Sequence, residues 1–68
     1  MNPLLAFKLD DEQIAKIIHE SSQLVSDEAK PTFISHMYEL AYTYNENGNS
    51  ARFAVEVEKF LKKVINDD

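Results

Sequence analysis

Residues 32–44 narrow the choice of fold more than any other part of the sequence, because as a helix this segment is apolar on two sides. One stripe consists of Phe33, Met37, Leu40, Ala41 and Tyr44, and the stripe beside it of Ile34, Tyr38 and Tyr42. An ordinary surface helix has one apolar stripe and a polar remainder. A helix with two stripes needs neighbours on both, so it either lies in the middle of a bundle or also contacts another protein.

Two local signals mark the start of the first predicted helix. Asp10 is a favourable N-cap, and Gln13 stands where a capping box needs it. Leu9 and Ile14 occupy the positions of a hydrophobic staple around this cap. Apolar residues then recur at helical spacing, at Ile14, Ile17, Ile18, Leu24 and Val25. The pattern predicts an amphipathic helix over about 10–24.

Two breaks place the remaining helices. Pro31 suits the opening turn of a helix, where backbone N–H groups have no intrahelical partner, so a second helix is predicted over about 28–45. Gly48, the only glycine, is placed to take the left-handed conformation that ends this helix. A third helix is predicted over about 50–66. The expected fold class is therefore all-α, a small antiparallel three-helix bundle in a single domain, 1–68, with an apolar N-terminal arm.

The small size of the chain makes association with another chain the expected route to extra buried surface. A domain of 68 residues keeps only about 3–5 kcal/mol of net stability. The sequence has no Cys, so disulfides, zinc fingers and thiol chemistry are excluded. We therefore expect a homo-oligomer, in the simplest case a homodimer. Because the chain starts at Met1 without a tag or linker, we also expect a complete small gene product.

The net charge of −5 comes from the first two thirds of the chain, whereas residues 48–68 are balanced. A protein that reads nucleic acid directly is expected to have a basic patch, so no direct nucleic-acid partner is predicted. No membrane partner is predicted either, because the apolar stretch 3–7 is far too short to span a bilayer. Without a signal peptide, the expected location is the cytoplasm.

Patterns typical of catalysis or metal binding are absent from the sequence. His36 and Glu39 lie one helical turn apart, but no HExxH motif, paired Glu-x-x-His or suitably spaced third ligand accompanies them. Ser35 and His36 point in different directions on a helix and cannot form a proton relay. We predict that the protein is not an enzyme and has no catalytic residues, no cofactor and no metal site.

Two stretches resemble known helical families. The turn around Gly48 resembles that of a tetratricopeptide repeat, a helical hairpin of peptide-binding scaffolds, through the pattern Leu40-Ala41-x-x-Tyr44-x-x-x-Gly48-Asn49. Beyond the turn, Phe53 and Phe60 replace the small residues of that repeat. Residues 26–39 resemble the second helix of the phycobilisome-degradation adaptor proteins, which are dimeric helical hairpins. The third helix has no counterpart there, and neither resemblance implies a function for this chain.

Surplus apolar residues suggest the leading functional hypothesis. A three-helix domain of this size cannot bury both stripes of the central helix together with the apolar arm. We interpret the surplus as an interface of a non-enzymatic interaction or regulatory protein whose partner is another protein. The predicted interface residues are Leu4, Leu5, Phe7, Tyr38 and Tyr42. Tyrosine favours this interpretation because it combines a large contact area with a polar tip.

The acidic residues support an alternative function. An inhibitor of the immunity, antitoxin or phage anti-host type would block a basic target protein, nucleic-acid-binding proteins included. Its predicted contact residues are Asp10, Asp11, Glu12, Asp27, Glu28 and Glu39. Electrostatic steering would make such binding strongly dependent on salt. The biological process and the identity of the partner stay open at this point.

Overall fold

The structure, a computed structural model, describes residues 8–67 and contains three α-helices. They are α1 (Asp11–Ser22), α2 (Lys30–Tyr44) and α3 (Ser50–Asp67), and a short 3-10 turn, Asn45–Asn47, follows α2. Within residues 8–67 there is no β-strand. The predicted fold class, a small all-α three-helix bundle, is confirmed. None of the three helices is long and apolar enough to cross a bilayer.

The capping box predicted at the start of α1 is present. The Asp10 carboxylate accepts a hydrogen bond from the backbone N–H of Gln13 at 2.9 Å. In return, the backbone N–H of Asp10 donates to the Gln13 side chain at 3.1 Å. Ile14 is buried in the core and Leu9 is half-buried against it, as expected for a hydrophobic staple. These contacts fix both the first residue of α1 and the direction from which the chain enters it.

Asp10→Ala is expected to lower the free energy of unfolding by about 1 kcal/mol, because it removes an N-cap side chain. Urea unfolding followed by far-UV circular dichroism measures this change. Lys16→Ala is the matched control, since Lys16 is exposed on the same helix and its loss should change stability by no more than about 0.5 kcal/mol. Equal midpoints for the two variants would contradict a stabilising role of the cap.

Helix α1 ends at Ser22, two residues earlier than predicted. The Ser22 hydroxyl donates to the carbonyl of His19 at 2.7 Å. The N–H groups of the next residues bond three residues back, which tightens the chain into a turn. Leu24 therefore leaves the helical stripe and is 63% exposed, so its predicted place on the apolar face was wrong. Val25 turns back into the core instead.

Helix α2 begins at Lys30, two residues later than predicted. Pro31 lies in its first turn, as expected. The preceding turn is held by the Lys30 ammonium, which donates to the Asp27 carboxylate at 2.7 Å and to the carbonyl of Val25 at 3.0 Å. The hydrogen bond and the charge of Lys30 lower the pKa of the Asp27 carboxyl. Asp27 and Glu28 thus lie in the turn before α2.

The connection between α2 and α3 follows the prediction closely. Gly48 has the left-handed conformation, with φ 79° and ψ 22°, which residues with a Cβ atom adopt only at a cost. Its N–H donates to the carbonyl of Asn45 at 2.9 Å. The Asn49 side chain then accepts from the backbone N–H of Arg52 at 3.1 Å and caps α3. The chain therefore reverses direction within a few residues.

Helix α2 packs against both α1 and α3, and those two have little direct contact with each other. Phe33 near the start of α2 stacks on Phe60 near the end of α3, with ring centroids 5.6 Å apart. At the other end, Arg52 lies over the ring of Tyr44. Helices α2 and α3 are therefore antiparallel. The buried apolar core consists of Ile14, Ile18, Val25, Phe33, Met37, Ala41, Phe53 and Val57.

Candidate functional site

The two tyrosines of the second stripe of α2 lie on the surface. Tyr38 is 50% exposed and Tyr42 is 77% exposed. They are four residues apart on one helix, so their side chains are neighbours on its outer face. Ile34, the third member of the stripe, is half-buried against the core. Tyr38 and Tyr42 also separate two depressions in the surface. We name the two tyrosines together with these depressions the tyrosine surface.

The first depression is a groove between α1 and α2, with a volume of about 390 Å³. Its apolar part is formed by Ile14, Ala15 and Ala41 together with the two tyrosines. The small side chains of Ala15 and Ala41 leave the space beside the rings open. Asp11 and Glu46 complete the lining. We name this depression the α1–α2 groove.

The second depression lies on the opposite side of the tyrosines. It is larger, about 560 Å³, but all of its lining residues belong to α2. His36 borders it and also contacts Phe60 of α3, with ring centroids 4.1 Å apart. The His36 Nδ1 atom lies 3.5 Å from a carboxylate oxygen of Glu39. This side of the tyrosine surface therefore combines an aromatic edge with a carboxylate.

A positive charge stands at the acidic end of the α1–α2 groove. The Lys8 ammonium lies 2.9 Å from a carboxylate oxygen of Glu46. The hydrogen bond to Glu46, the charge of Glu46 and the charge of Asp11 together raise the pKa of Lys8. Glu46, in the 3-10 turn, is the main cause of this rise in the pKa of Lys8, and Asp11, in the first turn of α1, adds to it.

Asn45 holds the chain at this end of the groove. Its side-chain oxygen accepts a hydrogen bond from the backbone N–H of Leu9 at 2.9 Å, and its amide nitrogen donates to the carbonyl of Leu9 at 3.0 Å. Asn45 is 1% exposed. Neither the buried Asn45 side chain nor the contact of Lys8 with Glu46 was predicted from the sequence. One signal was available, because Asn45 continues the spacing of Met37 and Ala41 and is therefore a polar residue at a core position.

The structure does not gather the predicted acidic residues into one patch. Asp10 caps α1 and Asp27 pairs with Lys30. Asp27 and Glu28 follow the end of α1, whereas Asp10, Asp11 and Glu12 stand at its start. The two ends of a helix of this length are about 18 Å apart. Asp11 and Glu39 line the two depressions on either side of the tyrosines. Glu12 is exposed in the first turn of α1.

The other predicted interface residues, Leu4, Leu5 and Phe7, lie outside the described residues. Their chain segment joins the described part at Lys8, beside the acidic end of the α1–α2 groove. Within residues 8–67, no three His, Asp or Glu side chains are grouped closely enough to hold a metal ion. Comparison of the chain with models of known protein families, with curated proteins and with solved structures finds no match.

Proposed function

We propose that this chain is a non-enzymatic interaction or regulatory protein that binds another protein through the tyrosine surface. The observation that supports the proposal most strongly is the exposure of Tyr38 and Tyr42, side by side, next to an apolar groove. A tyrosine ring supplies much contact area at a small entropic cost, and residues of this type dominate the binding energy of many interfaces.

Other exposed apolar side chains have a less suitable setting. Val55 is 51% exposed, but three of its four neighbours one turn away on α3 are charged, namely Arg52, Glu58 and Lys59. Leu24 lies in the turn after α1. Single exposed apolar residues are normal on protein surfaces. Among the described residues, 8–67, only the tyrosines combine two adjacent exposed aromatic rings with a groove that a partner side chain could enter.

Self-association is part of the proposal. A domain of 68 residues without disulfides gains from burying more surface in an oligomer, and we propose that Leu4, Leu5 and Phe7 contribute to it. Sedimentation equilibrium over a wide range of protein concentration measures the association. A single monomeric species at every concentration would remove the oligomer from the proposal, while leaving capture of a different protein untouched.

The double variant Tyr38→Ser with Tyr42→Ser is expected to weaken partner binding by at least about tenfold, because interface anchors of this type contribute about 2 kcal/mol or more each. The measurement is quantitative capture from the native cell extract by immobilised wild-type and variant protein. Val55→Ser is the matched control, since it removes from α3 an apolar side chain that is about as exposed as Tyr38. If wild type, control and double variant captured the same proteins equally, the tyrosine surface would not be the binding site.

A second candidate function, the acidic inhibitor of a basic target, is favoured by one observation. Asp11 and Glu39 lie on opposite sides of Tyr38 and Tyr42, so a basic partner that binds here would meet a carboxylate on each side of the aromatic rings. Raising the salt concentration from about 0.1 M to about 1 M shortens the Debye length from about 10 Å to about 3 Å. Capture that falls steeply over this range supports the inhibitor, and capture that is maintained or strengthened supports an apolar interface.

A further inference from the structure

The acidic end of the α1–α2 groove has the properties of a binding position for a cationic side chain. Lys8 lies at this end of the groove, with its ammonium 2.9 Å from Glu46, and Asp11 belongs to the same lining as Glu46. The two side chains of this pair keep 50% and 43% of their surface exposed to solvent. An ion pair between such exposed groups contributes little to stability. Another cation can therefore displace Lys8 without much cost to the fold.

We propose that the α1–α2 groove binds a cationic amphipathic helix of a different protein. Apolar side chains of this helix lie beside Ala15, Ala41 and the tyrosine rings. A Lys or Arg of the helix replaces Lys8 next to Asp11 and Glu46. The inference rests on the proposed function and specifies its partner.

The shape of the groove favours a helix as the occupant. The groove runs between two helices, and its lining extends from Tyr38 on α2 to Glu46 in the 3-10 turn that follows. These eight residue steps correspond to about 12 Å at the rise of an α-helix. This length matches about two turns of a partner helix, each of about 5.4 Å. An amphipathic helix that lies in a groove between helices is one of the common modes of peptide recognition.

The charges favour a basic partner over a second copy of this chain. Symmetric pairing of two copies through the groove would place each patch against the same patch of the other copy. The carboxylates of Asp11 and Glu46 in one copy would then lie in the same interface as those of the other copy, and like charges across an interface are unfavourable. The net charge of −5 adds to this repulsion. A helix with Lys or Arg at one edge meets no such cost.

A direct test uses a labelled synthetic helix of Leu and Lys, with Leu at amphipathic spacing, and a control peptide in which Glu replaces every Lys. Fluorescence anisotropy measures the binding of each peptide to the full chain. We expect the Lys peptide to bind at least about tenfold more tightly than the Glu peptide, and this ratio of affinities to shrink as salt rises, while the apolar contacts keep the Lys peptide bound. Equal affinities of the two peptides, or no binding of the Lys peptide, would overturn the inference.

Charge-matched variants separate a specific site from general attraction by an acidic protein. Glu46→Gln is expected to weaken binding of the Lys peptide by about three- to fivefold, whereas Glu20→Gln, at an exposed position outside the groove lining, should change it less than about twofold. Lys8→Met is expected to strengthen binding by a similar factor, because it removes the internal competitor, and Lys16→Met should not. Equal effects within each pair would show that only net charge matters and would refute the site.

The position of the bound peptide supplies the final readout. In ¹H–¹⁵N spectra of the full chain, the Lys peptide should shift the amide signals of Ala15 and Ala41 most strongly. Shifts centred on α3 would reject the groove. If the peptide failed to bind while Tyr38 and Tyr42 were still required for capture from extract, the proposed function would stand and this inference would fall. If the Lys peptide bound in the groove but the tyrosine double variant captured its partners as well as the wild type, the proposed function would fall and the groove would remain a peptide-binding site.

Discussion

Phe53→Ala is expected to leave a large part of the protein unfolded at room temperature. Phe53 is fully buried in the core formed by the three helices. Truncating a buried Phe to Ala costs about 3–5 kcal/mol, through lost burial and the cavity left behind. A single core in a chain this small supplies about 3–5 kcal/mol in total. The loss is therefore comparable with the whole free energy of unfolding.

Far-UV circular dichroism and urea unfolding measure this effect. Val55→Ala is the control on the same helix, because Val55 is 51% exposed and its truncation should change stability by no more than about 0.5 kcal/mol. Phe53→Leu provides a milder change that keeps part of the apolar volume and should retain a cooperative transition. A Phe53→Ala variant that lost less than about 1 kcal/mol would mean that the helices do not form one common core.

Local structure was predictable because its causes lie within a few residues. The capping box of Asp10 and Gln13 joins residues three apart, and the left-handed turn requires only Gly48. Pro31 falls in the first turn of α2 for an equally local reason. The helix ends were less accurate. Helix α1 ends two residues early at Ser22, whose hydroxyl donates to the carbonyl of His19, and helical periodicity does not reveal such a bond.

The surface was predictable only in part. The surplus of apolar residues on α2 pointed to Tyr38 and Tyr42, and both are exposed. The α1–α2 groove was not predictable, because its space depends on how α1 lies beside Ala41. The acidic end of the groove needs Lys8 and Glu46 to meet across the fold, and spacing along the sequence gives no information on such a contact.

The contact that organises this end of the molecule joins residues 36 positions apart. The Asn45 side chain makes one hydrogen bond to the N–H of Leu9 and one to its carbonyl. Asn45→Ala removes both bonds and leaves two partly buried backbone groups without these partners. Each lost bond costs about 0.5–1.5 kcal/mol and each unsatisfied group adds to that, so we expect a loss of about 2–4 kcal/mol in the free energy of unfolding.

Hydrogen exchange of the Leu9 amide distinguishes this contact from a general effect on stability. In the wild type Leu9 N–H is bonded to Asn45, so its exchange should be slow, and in Asn45→Ala it should be fast even where the helices remain folded. Asn47→Ala is the matched control, because that exposed amide bonds only to the nearby carbonyl of Thr43 and its loss should cost no more than about 0.5 kcal/mol. Since Leu9 precedes α1 and follows Lys8, the Asn45→Ala variant should also release Lys8 from Glu46. Unchanged exchange at Leu9 would show that Asn45 does not anchor the chain.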